Sequence, residues 1–318
     1  MSFVGGGSDL PAFYRRHGGA VLSTAIDKYV YVSVNPKFDG GIRLAYSKVE
    51  EVQRLDEIEH RLFRATLELL GIDGGVEVTT TADIPSRGTG LGSSSSFTVG
   101  LLNAVSAHLG RHVSADELGR RSCEVEIDRC GEPIGKQDQY AAAFGGVNLI
   151  EFNADDSVAV SPVIMSRGTR KRLEDGIVCF YTGITRSASE ILRAQSANSQ
   201  ESANHQATLK RMVALCYRLR DDLARGDVDA FGDILHENWE LKKTLTAGIA
   251  TPQIDGWYGA AREAGALGGK LLGAGAGGFL IFYAPADRHE AIARAVGLRR
   301  IRMGFEPLGS RILFYNPQ

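Results

Sequence analysis

The sequence predicts a mixed fold, α+β or α/β, built as two domains. The chain has 318 residues, which is enough for two domains of ordinary size. Segments rich in β-branched and aromatic residues, which favour strands, occur in both halves of the chain, and so do segments with apolar residues at helical spacing. Because the two kinds of element are interspersed, the sequence excludes an all-helical and an all-strand protein.

The first half of the chain contains both kinds of element. Strands are expected at 21–34, with a turn near Asp27, at 76–81, and as a pair at 147–152 and 158–163. Helices are expected at 52–69, 93–109 and 114–129. Gly71 is the predicted stop of the first helix, and Ser114 and Glu117 form the N-cap and capping box of the third.

The second half follows a polar and basic stretch at 166–175, where we place the domain boundary. The predicted domains are residues 1–165 and residues 166–318. Strands are expected in the second domain at 177–182, 279–283 and 311–315. Helices are expected at 187–248, with a break near Gly226, and at 286–296.

Composition and charge narrow the class of protein. Hydrophobic residues make up 43% and charged residues 23% of the chain, which is typical of a globular protein. The formal net charge of −2 leaves no basic excess that would favour nucleic acid or an anionic membrane. No apolar run reaches membrane-spanning length, no signal peptide opens the chain, and the four cysteines lack zinc-site spacing. We therefore expect a cytoplasmic protein with buried, reduced cysteines and no nucleic-acid or membrane partner.

The most informative segment is the glycine- and serine-rich sequence PSRGTGLGSSSS at 85–96. Its glycines, Gly88, Gly90 and Gly92, leave backbone N–H groups uncovered, and the serines that follow lie where a helix is predicted to begin. Free amides and the positive end of a helix dipole together bind phosphate. The segment therefore predicts a phosphate-binding loop, and the alternative is a flexible, solvated glycine–serine loop.

Two further glycine stretches lie near the ends of the chain. The segment Gly5-Gly6-Gly7-Ser8-Asp9 either brings the backbone close to a ligand, with Asp9 accepting hydrogen bonds from sugar hydroxyls, or forms a tight turn capped by Asp9. The run from Gly273 to Gly278 superficially matches a dinucleotide fingerprint, but a predicted strand follows it where a helix is required. That run is therefore expected to be a packing turn or a loop that lies against phosphates.

A candidate catalytic carboxylate, Asp138, lies in the sequence GKQDQ at 135–139. Lys136 precedes it by two positions, which makes Asp138 a candidate general base. A lone carboxylate is otherwise most often solvated or a helix cap. Glu124 and Glu126 stand on the preceding predicted helix, and one of them is expected to face solvent while the other faces inwards.

Together these segments resemble the motifs of the GHMP kinases. The sequence GGGSD from Gly5 resembles the first motif of that family, PSRGTGLGSS from Pro85 the second, phosphate-binding motif, and KLLGAGAGGF from Lys270 the third, in the family's order and over essentially the whole chain. The resemblance implies an α+β fold of two domains. It further implies an N-terminal domain that is ribosomal-protein-S5 domain-2-like and binds nucleotide, and a C-terminal domain that is ferredoxin-like. It also implies an enzyme, an ATP-dependent phosphotransferase with an alcohol group as acceptor.

The resemblance assigns roles to individual residues. Those implied at the ATP phosphates are Gly88, Thr89, Gly90, Leu91, Gly92, Ser93, Ser94 and Ser95. Ser94 and Glu126 match the ligands of Mg²⁺, since Glu126 stands before Pro133 as the family's metal carboxylate stands before the corresponding proline. Asp138 occupies the position of the catalytic aspartate. Lys136 either steadies the transferring phosphoryl group or pairs with Asp138.

Within the family, the sequences GGGSDLP and GKQDQY and the segment Tyr181–Arg186 are most similar to kinases of D-glycero-D-manno-heptose 7-phosphate. This similarity implies phosphorylation of the anomeric hydroxyl to the 1,7-bisphosphate, for the synthesis of nucleotide-heptose and surface polysaccharide. The residues then expected at the sugar phosphate are Gly6, Gly7, Ser8, Asp9, Asp138, Gly183 and Arg186. Arg186 is either the cation that meets the 7-phosphate or a surface arginine.

Other readings of the same motifs stay open. A fucokinase or another hexose 1-kinase is the alternative enzyme, because its motifs are related. A sugar or nucleotide sensor built on the kinase fold is the non-enzymatic alternative. The sequence is compatible with a homo-oligomer.

Overall fold

The structure is a computed structural model, and it describes residues 1–84, 90–184, 193, 203–275 and 277–316. Helices and strands are interspersed along the chain, which confirms the mixed fold predicted from the sequence. Within the described residues, no helix combines the length and the apolar composition that crossing a bilayer requires. The four cysteines are free and buried, as expected.

The strands and helices are numbered here in chain order. The strands are β1 (Ser2–Val4), β2 (Gly19–Thr24), β3 (Val30–Pro36), β4 (Ile42–Ala45), β5 (Val49–Val52), β6 (Val76–Ala82), β7 (Val147–Phe152), β8 (Val158–Pro162), β9 (Ile177–Tyr181), β10 (Gly268–Leu271), β11 (Phe279–Tyr283) and β12 (Arg299–Ile301). The helices are α1 (Pro11–His17), α2 (Arg61–Leu70), α3 (Ser93–His108), α4 (Ala115–Cys123), α5 (Gln137–Phe144), α6 (Arg167–Asp175), α7 (Ala203–Ala224), α8 (Phe231–Leu245), α9 (Pro252–Glu263) and α10 (His289–Val296). Short 3₁₀ turns occupy Leu55–Glu57 and Ala286–Arg288, and a π-helical segment occupies Glu124–Arg129.

Contacts group the chain into two units, each assembled from separate segments. The first unit comprises Met1–Asp27, Arg87–Leu91 and Gly146–Pro307, and the second comprises Lys28–Ser86, Gly92–Gly145 and Leu308–Gln318. This grouping differs from the predicted division between residues 165 and 166, because the chain leaves the first unit after Asp27, rejoins it briefly at Arg87–Leu91, and returns to it at Gly146. The contact grouping does not test the predicted division into domains 1–165 and 166–318, which stays a prediction.

The first unit contains two four-stranded antiparallel sheets. One has the strand order β1-β2-β7-β8, and the other has the order β10-β11-β9-β12. In the second sheet, α7, α8 and α9 connect β9 to β10, and α10 connects β11 to β12. This β-α-β-β-α-β order is that of a ferredoxin-like fold, as expected for the C-terminal part of the chain. Its core includes Phe180 of β9, Trp239 of α8 and Phe282 of β11, all fully buried.

The second unit is a mixed sheet covered by helices. The strand order is β3-β6-β4-β5, with β4 parallel to β6 and the other pairs antiparallel. Helix α3 packs on β3 and contacts α2, α4 and α5. Phe63 of α2, Val78 of β6 and Leu102 of α3 are fully buried in the core of this unit. Burial of one face of α3 among these elements fixes the helix that begins after the predicted phosphate loop.

The helix predicted at 114–129 is present, but it has two geometries. Ser114 is its N-cap, with the Ser114 Oγ accepting a hydrogen bond from the Glu117 N–H at 3.2 Å, which confirms the predicted cap. Residues Ala115–Cys123 are α-helical and Glu124–Arg129 are π-helical. A π-helical turn shifts the side chains that follow it relative to an α-helix and is frequent at functional sites.

The helix predicted at 52–69 is wrong in its first part. Val49–Val52 form β5, in which Val52 pairs with Ile42 of β4, and the helix α2 begins only at Arg61. Pairing within the sheet here overrides helical spacing in the sequence. The predicted end is confirmed, since Gly71 caps the helix in the left-handed region with φ of 72°.

The strand predicted at 311–315 is also wrong. These residues form neither helix nor strand, and the side chains of Leu313 and Phe314 are exposed. A high strand propensity does not form a strand where no neighbouring strand pairs with the segment. The strand that completes the sheet is β12, whose charged sequence gives no strand signal. The polar stretch at 166–175, expected to be a boundary, forms α6. Of the helical region predicted at 187–248, α7 and α8 are confirmed, and its first part lies outside the described residues apart from residue 193.

Candidate active site

The N-terminus of α3 lies in the second unit and is capped by a glycine. Gly92, the N-cap residue, has φ of 69°, in the left-handed region that favours glycine. The first hydrogen bond within the helix runs from the Ser96 N–H to the Gly92 carbonyl oxygen at 2.9 Å. The amides that precede Ser96 therefore lie at the positive end of a helix of 16 residues. This local geometry is suited to an anion.

Asp138 lies against the backbone of Gly92 in the same unit. A Cβ atom placed on Gly92 would stand 3.0 Å from Cγ and 3.1 Å from Cβ of Asp138, closer than ordinary van der Waals contact. Glycine at position 92 is thus required both by its φ and by the approach of the carboxylate. Asp138 is half-buried and occupies the first turn of α5, whose N-terminal dipole favours a negative charge. A carboxylate therefore lies beside the helix end that is suited to phosphate.

Glu126 forms a hydrogen-bonded group with residues of α3 and α5. The Ser94 Oγ donates to one carboxyl oxygen of Glu126, and the Gln139 Nε2 donates to the other at 2.7 Å. Glu126 belongs to the π-helical segment and is fully buried, and Gln139 is fully buried next to Asp138 in the chain. Three elements thus converge on a single carboxyl group.

Burial raises the pKa of Glu126, and the hydrogen bonds from Ser94, Ser95 and Gln139 lower it only in part, while the charge of Asp138 raises it further. A buried, ionised carboxyl of this kind is stabilised by a cation. Glu124 has a different environment, since it pairs with Arg129 at 2.8 Å near the surface. Of the two candidate carboxylates, Glu126 is therefore the one that faces inwards.

The donors at this position fit Mg²⁺ better than a transition metal. Ser94 and Glu126 offer a hydroxyl and a carboxylate, both hard oxygen ligands, and Mg²⁺ usually takes few protein ligands and keeps water and phosphate oxygens. Among the described residues there is no cluster of three or more His, Cys, Asp or Glu side chains that would hold a metal unaided. Ser94 and Glu126 would hold the ion together with water and phosphate oxygens.

The first glycine motif lies in the first unit and is tightly packed. Gly5 has φ of 91°, and a Cβ atom at this position would overlap the Ala20 carbonyl oxygen. The Ser8 hydroxyl exchanges hydrogen bonds with the backbone of Ala20, donating at 2.9 Å and accepting at 3.1 Å. The Asp9 Oδ1 accepts from the Gly7 N–H at 2.9 Å. The motif is therefore a tight turn with Asp9 as its cap, and the Ser8 hydroxyl holds strand β2.

The third glycine motif meets Gly90 within the first unit. A Cβ atom on Gly90 would stand 2.6 Å from the Leu272 carbonyl oxygen, and one on Gly273 would overlap Gly90 Cα. The two loops contact each other backbone to backbone, which only glycines permit. These contacts fit the expectation of a packing turn. The turn packs on Gly90, which belongs to the predicted phosphate loop.

The predicted site residues thus fall into three groups. The structure brings Gly92, Ser94, Ser95, Glu126 and Asp138 together in the second unit, where Ser93 is the first residue of α3 and Lys136 is the N-cap of α5. Gly6, Gly7, Ser8, Asp9, Gly90, Leu91 and Gly183 belong to the first unit. Gly88, Thr89 and Arg186 lie outside the described residues. The structure adds Gln139, which the sequence analysis missed although it follows Asp138 directly.

Comparison with protein families matches both parts of the chain. The family model for the GHMP kinases N terminal domain matches residues 57–146. The model for the GHMP kinases C terminal domain matches residues 219–299. Together the two matches cover more than half of the chain.

Individual relatives agree with the family match. A D-glycero-alpha-D-manno-heptose 7-phosphate kinase of Campylobacter jejuni is 28% identical over 311 residues, which covers 93% of this chain and 90% of the relative. The crystal structure of a D-glycero-D-manno-heptose 1-phosphate kinase from Bacteroides thetaiotaomicron is 28% identical, has a TM-score of 0.79, and covers 97% of this chain and 94% of its own. A bifunctional fucokinase/GDP-fucose pyrophosphorylase of Arabidopsis thaliana is 25% identical over 308 residues, 89% of this chain and 29% of that relative.

The fold and the matched family models define an ATP-dependent kinase, a transferase whose acceptor is an alcohol group. The chain belongs to the GHMP kinases and has their two-domain fold of helices and sheets. The resemblance seen in the three glycine motifs is thereby confirmed.

Proposed function

We propose that this protein is a sugar 1-kinase that transfers the γ-phosphoryl group of ATP to the anomeric hydroxyl of D-glycero-D-manno-heptose 7-phosphate. The product is the 1,7-bisphosphate, a precursor for nucleotide-heptose and surface polysaccharide. The observation that carries the reaction type is the contact of the Asp138 carboxylate with Gly92 at the N-terminus of α3. The substrate is supported by the heptose 7-phosphate kinase of Campylobacter jejuni, which is 28% identical over nearly the whole of both chains.

Asp138 is the proposed general base. Its carboxylate accepts the proton of the anomeric hydroxyl as that oxygen attacks the γ-phosphorus, and the bond from the phosphorus to the bridging oxygen breaks to release ADP. Phosphoryl transfer of this kind depends mainly on positioning and on neutralisation of charge. Because Asp138 lies against the helix end that is suited to phosphate, an acceptor hydroxyl held by this carboxylate would stand beside the phosphates.

The ATP phosphates are proposed to lie along the glycine loop and the serines that open α3. Glycines leave the backbone N–H groups exposed to phosphate oxygens, and the α3 dipole favours their negative charge. Ser94 and Glu126 are the proposed protein ligands of Mg²⁺, which when bound neutralises the charge of the β- and γ-phosphates. The Gln139 amide donates a hydrogen bond to the Glu126 carboxyl and so holds it in place. Metal ligands are commonly oriented by such hydrogen bonds from neighbouring side chains.

The remaining predicted roles concern the acceptor. Lys136, at the N-cap of α5, is proposed to steady the transferring phosphoryl group. The first motif is proposed to lie against the sugar at Gly6, Gly7, Ser8 and Asp9, in a tight turn that the Asp9–Gly7 and Ser8–Ala20 hydrogen bonds hold in place. Gly183 has a φ of 72°, and among the described residues no atom lies within van der Waals reach of a Cβ added there. Arg186 is proposed to meet the 7-phosphate.

A fucokinase or another hexose 1-kinase is the second candidate. It is supported by the plant fucokinase relative, which is 25% identical over 308 residues. The two candidates differ in whether the acceptor carries a second phosphate. A sensor without turnover is the non-enzymatic outcome.

A panel assay separates these candidates. Purified protein with ATP and Mg²⁺ is incubated with heptose 7-phosphate, fucose, mannose or galactose, and ADP release is coupled to an optical signal. Phosphorus NMR then identifies the position of the new phosphate. We expect the highest kcat/KM with heptose 7-phosphate and a new phosphate at carbon 1. Preference for an unphosphorylated hexose would favour the second candidate, and nucleotide binding without turnover on any sugar would favour the sensor.

A further inference from the structure

Helix α8 carries two buried polar side chains, Asn238 and Lys242, within the first unit. Asn238 is fully buried and Lys242 is 5% exposed. Residues four apart in a helix lie on one face, one turn above the other, so the two side chains leave α8 in the same direction. Burying a polar group is costly unless it has a partner, and the Asn238 Oδ1 and the Lys242 Nζ each bond to a backbone atom of a glycine motif.

The Asn238 side chain holds the first glycine motif. Its Oδ1 accepts a hydrogen bond from the Gly5 N–H at 3.1 Å. Gly5 is pressed against Ala20 so closely that a Cβ atom would overlap the carbonyl oxygen there. The amide of Asn238 therefore fixes the first residue of a turn that has no space in which to shift.

The Lys242 side chain holds the third glycine motif. Its Nζ donates to the Gly273 carbonyl oxygen at 2.6 Å, a short hydrogen bond from a charged donor. Gly273 and Leu272 in turn contact Gly90. Gly90 belongs to the predicted phosphate loop, of which Gly88 lies outside the described residues. The ammonium of Lys242 is thus one contact removed from the loop that holds the ATP phosphates in the proposed mechanism.

We infer that α8 is a positioning helix, with Asn238 orienting the first glycine motif for the acceptor and Lys242 holding the third motif against the nucleotide loop. Lys242 acts through Gly273 and Gly90, so it is a positioning residue for the nucleotide. The role inferred for Lys242 follows from the packing of the third glycine motif on Gly90 and from the ATP dependence of the family. The Asn238 part rests on the proposed function, because it requires that the first motif binds the acceptor.

The test compares Lys242→Met with Lys243→Met. Both remove one lysine from α8, but Lys243 pairs near the surface with Glu240 at 2.9 Å and with Asp255 at 3.5 Å. Isothermal titration with the ATP analogue AMP-PNP and Mg²⁺ measures nucleotide affinity without any sugar. Loss of a hydrogen bond from a charged donor is expected to raise the Kd of Lys242→Met about tenfold or more, and Lys243→Met is expected to stay within about twofold of the wild type.

Two further variants keep the test decisive. Lys242→Gln retains one N–H donor for the Gly273 oxygen and is expected to give an intermediate Kd, and it replaces Lys242→Met if that variant does not fold. Asn238→Leu keeps the size of the side chain and removes the acceptor, so it is expected to raise KM for the sugar while the AMP-PNP Kd stays near the wild-type value. Thermal unfolding of each variant shows that the protein measured is folded.

The outcomes separate this inference from the proposed function. A wild-type Kd in folded Lys242→Met, or an equal loss in Lys243→Met, would overturn the role of Lys242. Equal losses of nucleotide and sugar affinity in Asn238→Leu would overturn the separate role of Asn238. If no sugar in the panel is phosphorylated and Lys242→Met still weakens AMP-PNP binding, the proposed substrate is wrong and the role of Lys242 stands.

Discussion

At the scale of single residues, the buried carboxyl of Glu126 links stability to pH. Burial raises its pKa in the folded protein above the value in the unfolded chain, against the hydrogen bonds from Ser94, Ser95 and Gln139. The folded protein therefore holds this proton to higher pH than the unfolded chain does. The stability that this provides is complete below the unfolded pKa and is lost as the pH rises through the folded pKa.

Glu126→Gln is therefore expected to unfold at a higher temperature than the wild type at about pH 8 in the absence of Mg²⁺, because the variant buries no charge there. The difference in Tm is expected to shrink as the pH falls towards the ordinary glutamate pKa of about 4.3. The same variant is expected to lose most of the Mg²⁺-dependent turnover. Differential scanning calorimetry across pH measures the first effect.

Glu124→Gln is the matched control, since Glu124 lies in the same π-helical segment and pairs with Arg129 near the surface. It is expected to change neither the pH dependence of Tm nor turnover. A difference in Tm between Glu126→Gln and the wild type that stays constant across pH would refute the pH linkage.

At the scale of elements, the start of α3 depends on a glycine for two separate reasons. Gly92 has a left-handed φ, and a Cβ there would press on Asp138. Gly92→Ala is expected to lose about 1–2 kcal/mol of stability through backbone strain. It is also expected to lower kcat, because Asp138 must move away from the helix end.

Gly71→Ala isolates the first of these effects. Gly71 caps α2 at φ of 72°, and no atom of the described part of the chain lies within van der Waals reach of an added Cβ. This control is expected to lose similar stability and to keep the wild-type kcat in a steady-state assay. Equal kcat values for the two variants would mean that the contact of Gly92 with Asp138 is irrelevant to turnover.

At the scale of the whole molecule, the proposed substrate differs from a simple hexose by its second phosphate. Arg186 is the predicted partner of the 7-phosphate and lies outside the described residues. A guanidinium binds phosphate through two parallel hydrogen bonds, so Arg186→Ala is expected to raise KM for heptose 7-phosphate at least about tenfold. KM for the same sugar without the 7-phosphate should change little. Equal losses on the two sugars would exclude Arg186 from phosphate recognition.

Local signals in the sequence predict helix starts and strands better than they predict packing. The glycines that precede α3, the Ser114 cap and the strands at 76–82 and 147–152 each have a local signal, and the structure contains them. The inward turn of Glu126 depends on a π-helical segment that helical spacing does not encode. Asn238 and Lys242 lie far along the chain from the glycines they hold, so only the tertiary structure reveals them.

The errors in the predicted fold arise from strand pairing between residues that are distant in sequence. Val52 has helical spacing with residues that follow it, but its pairing with Ile42 in the sheet decides its conformation. The apolar residues at 312–315 have high strand propensity and are exposed, whereas Arg299–Ile301 form the edge strand because β9 lies beside them. Propensity measures the chain alone, and strand pairing adds partners that are distant in sequence.

The central claim is that Asp138 takes the proton of the acceptor beside the ATP phosphates, and a single substitution tests it most directly. Asp138→Asn is compared with Asp116→Asn, which removes an exposed carboxylate from the first turn of another helix in the same unit. In single-turnover phosphoryl transfer to heptose 7-phosphate, Asp138→Asn is expected to be slower than the wild type by a factor of about 10² to 10⁴, with unchanged AMP-PNP affinity. Asp116→Asn is expected to react at the wild-type rate. A folded Asp138→Asn enzyme that turns over at near-normal rate would contradict the account.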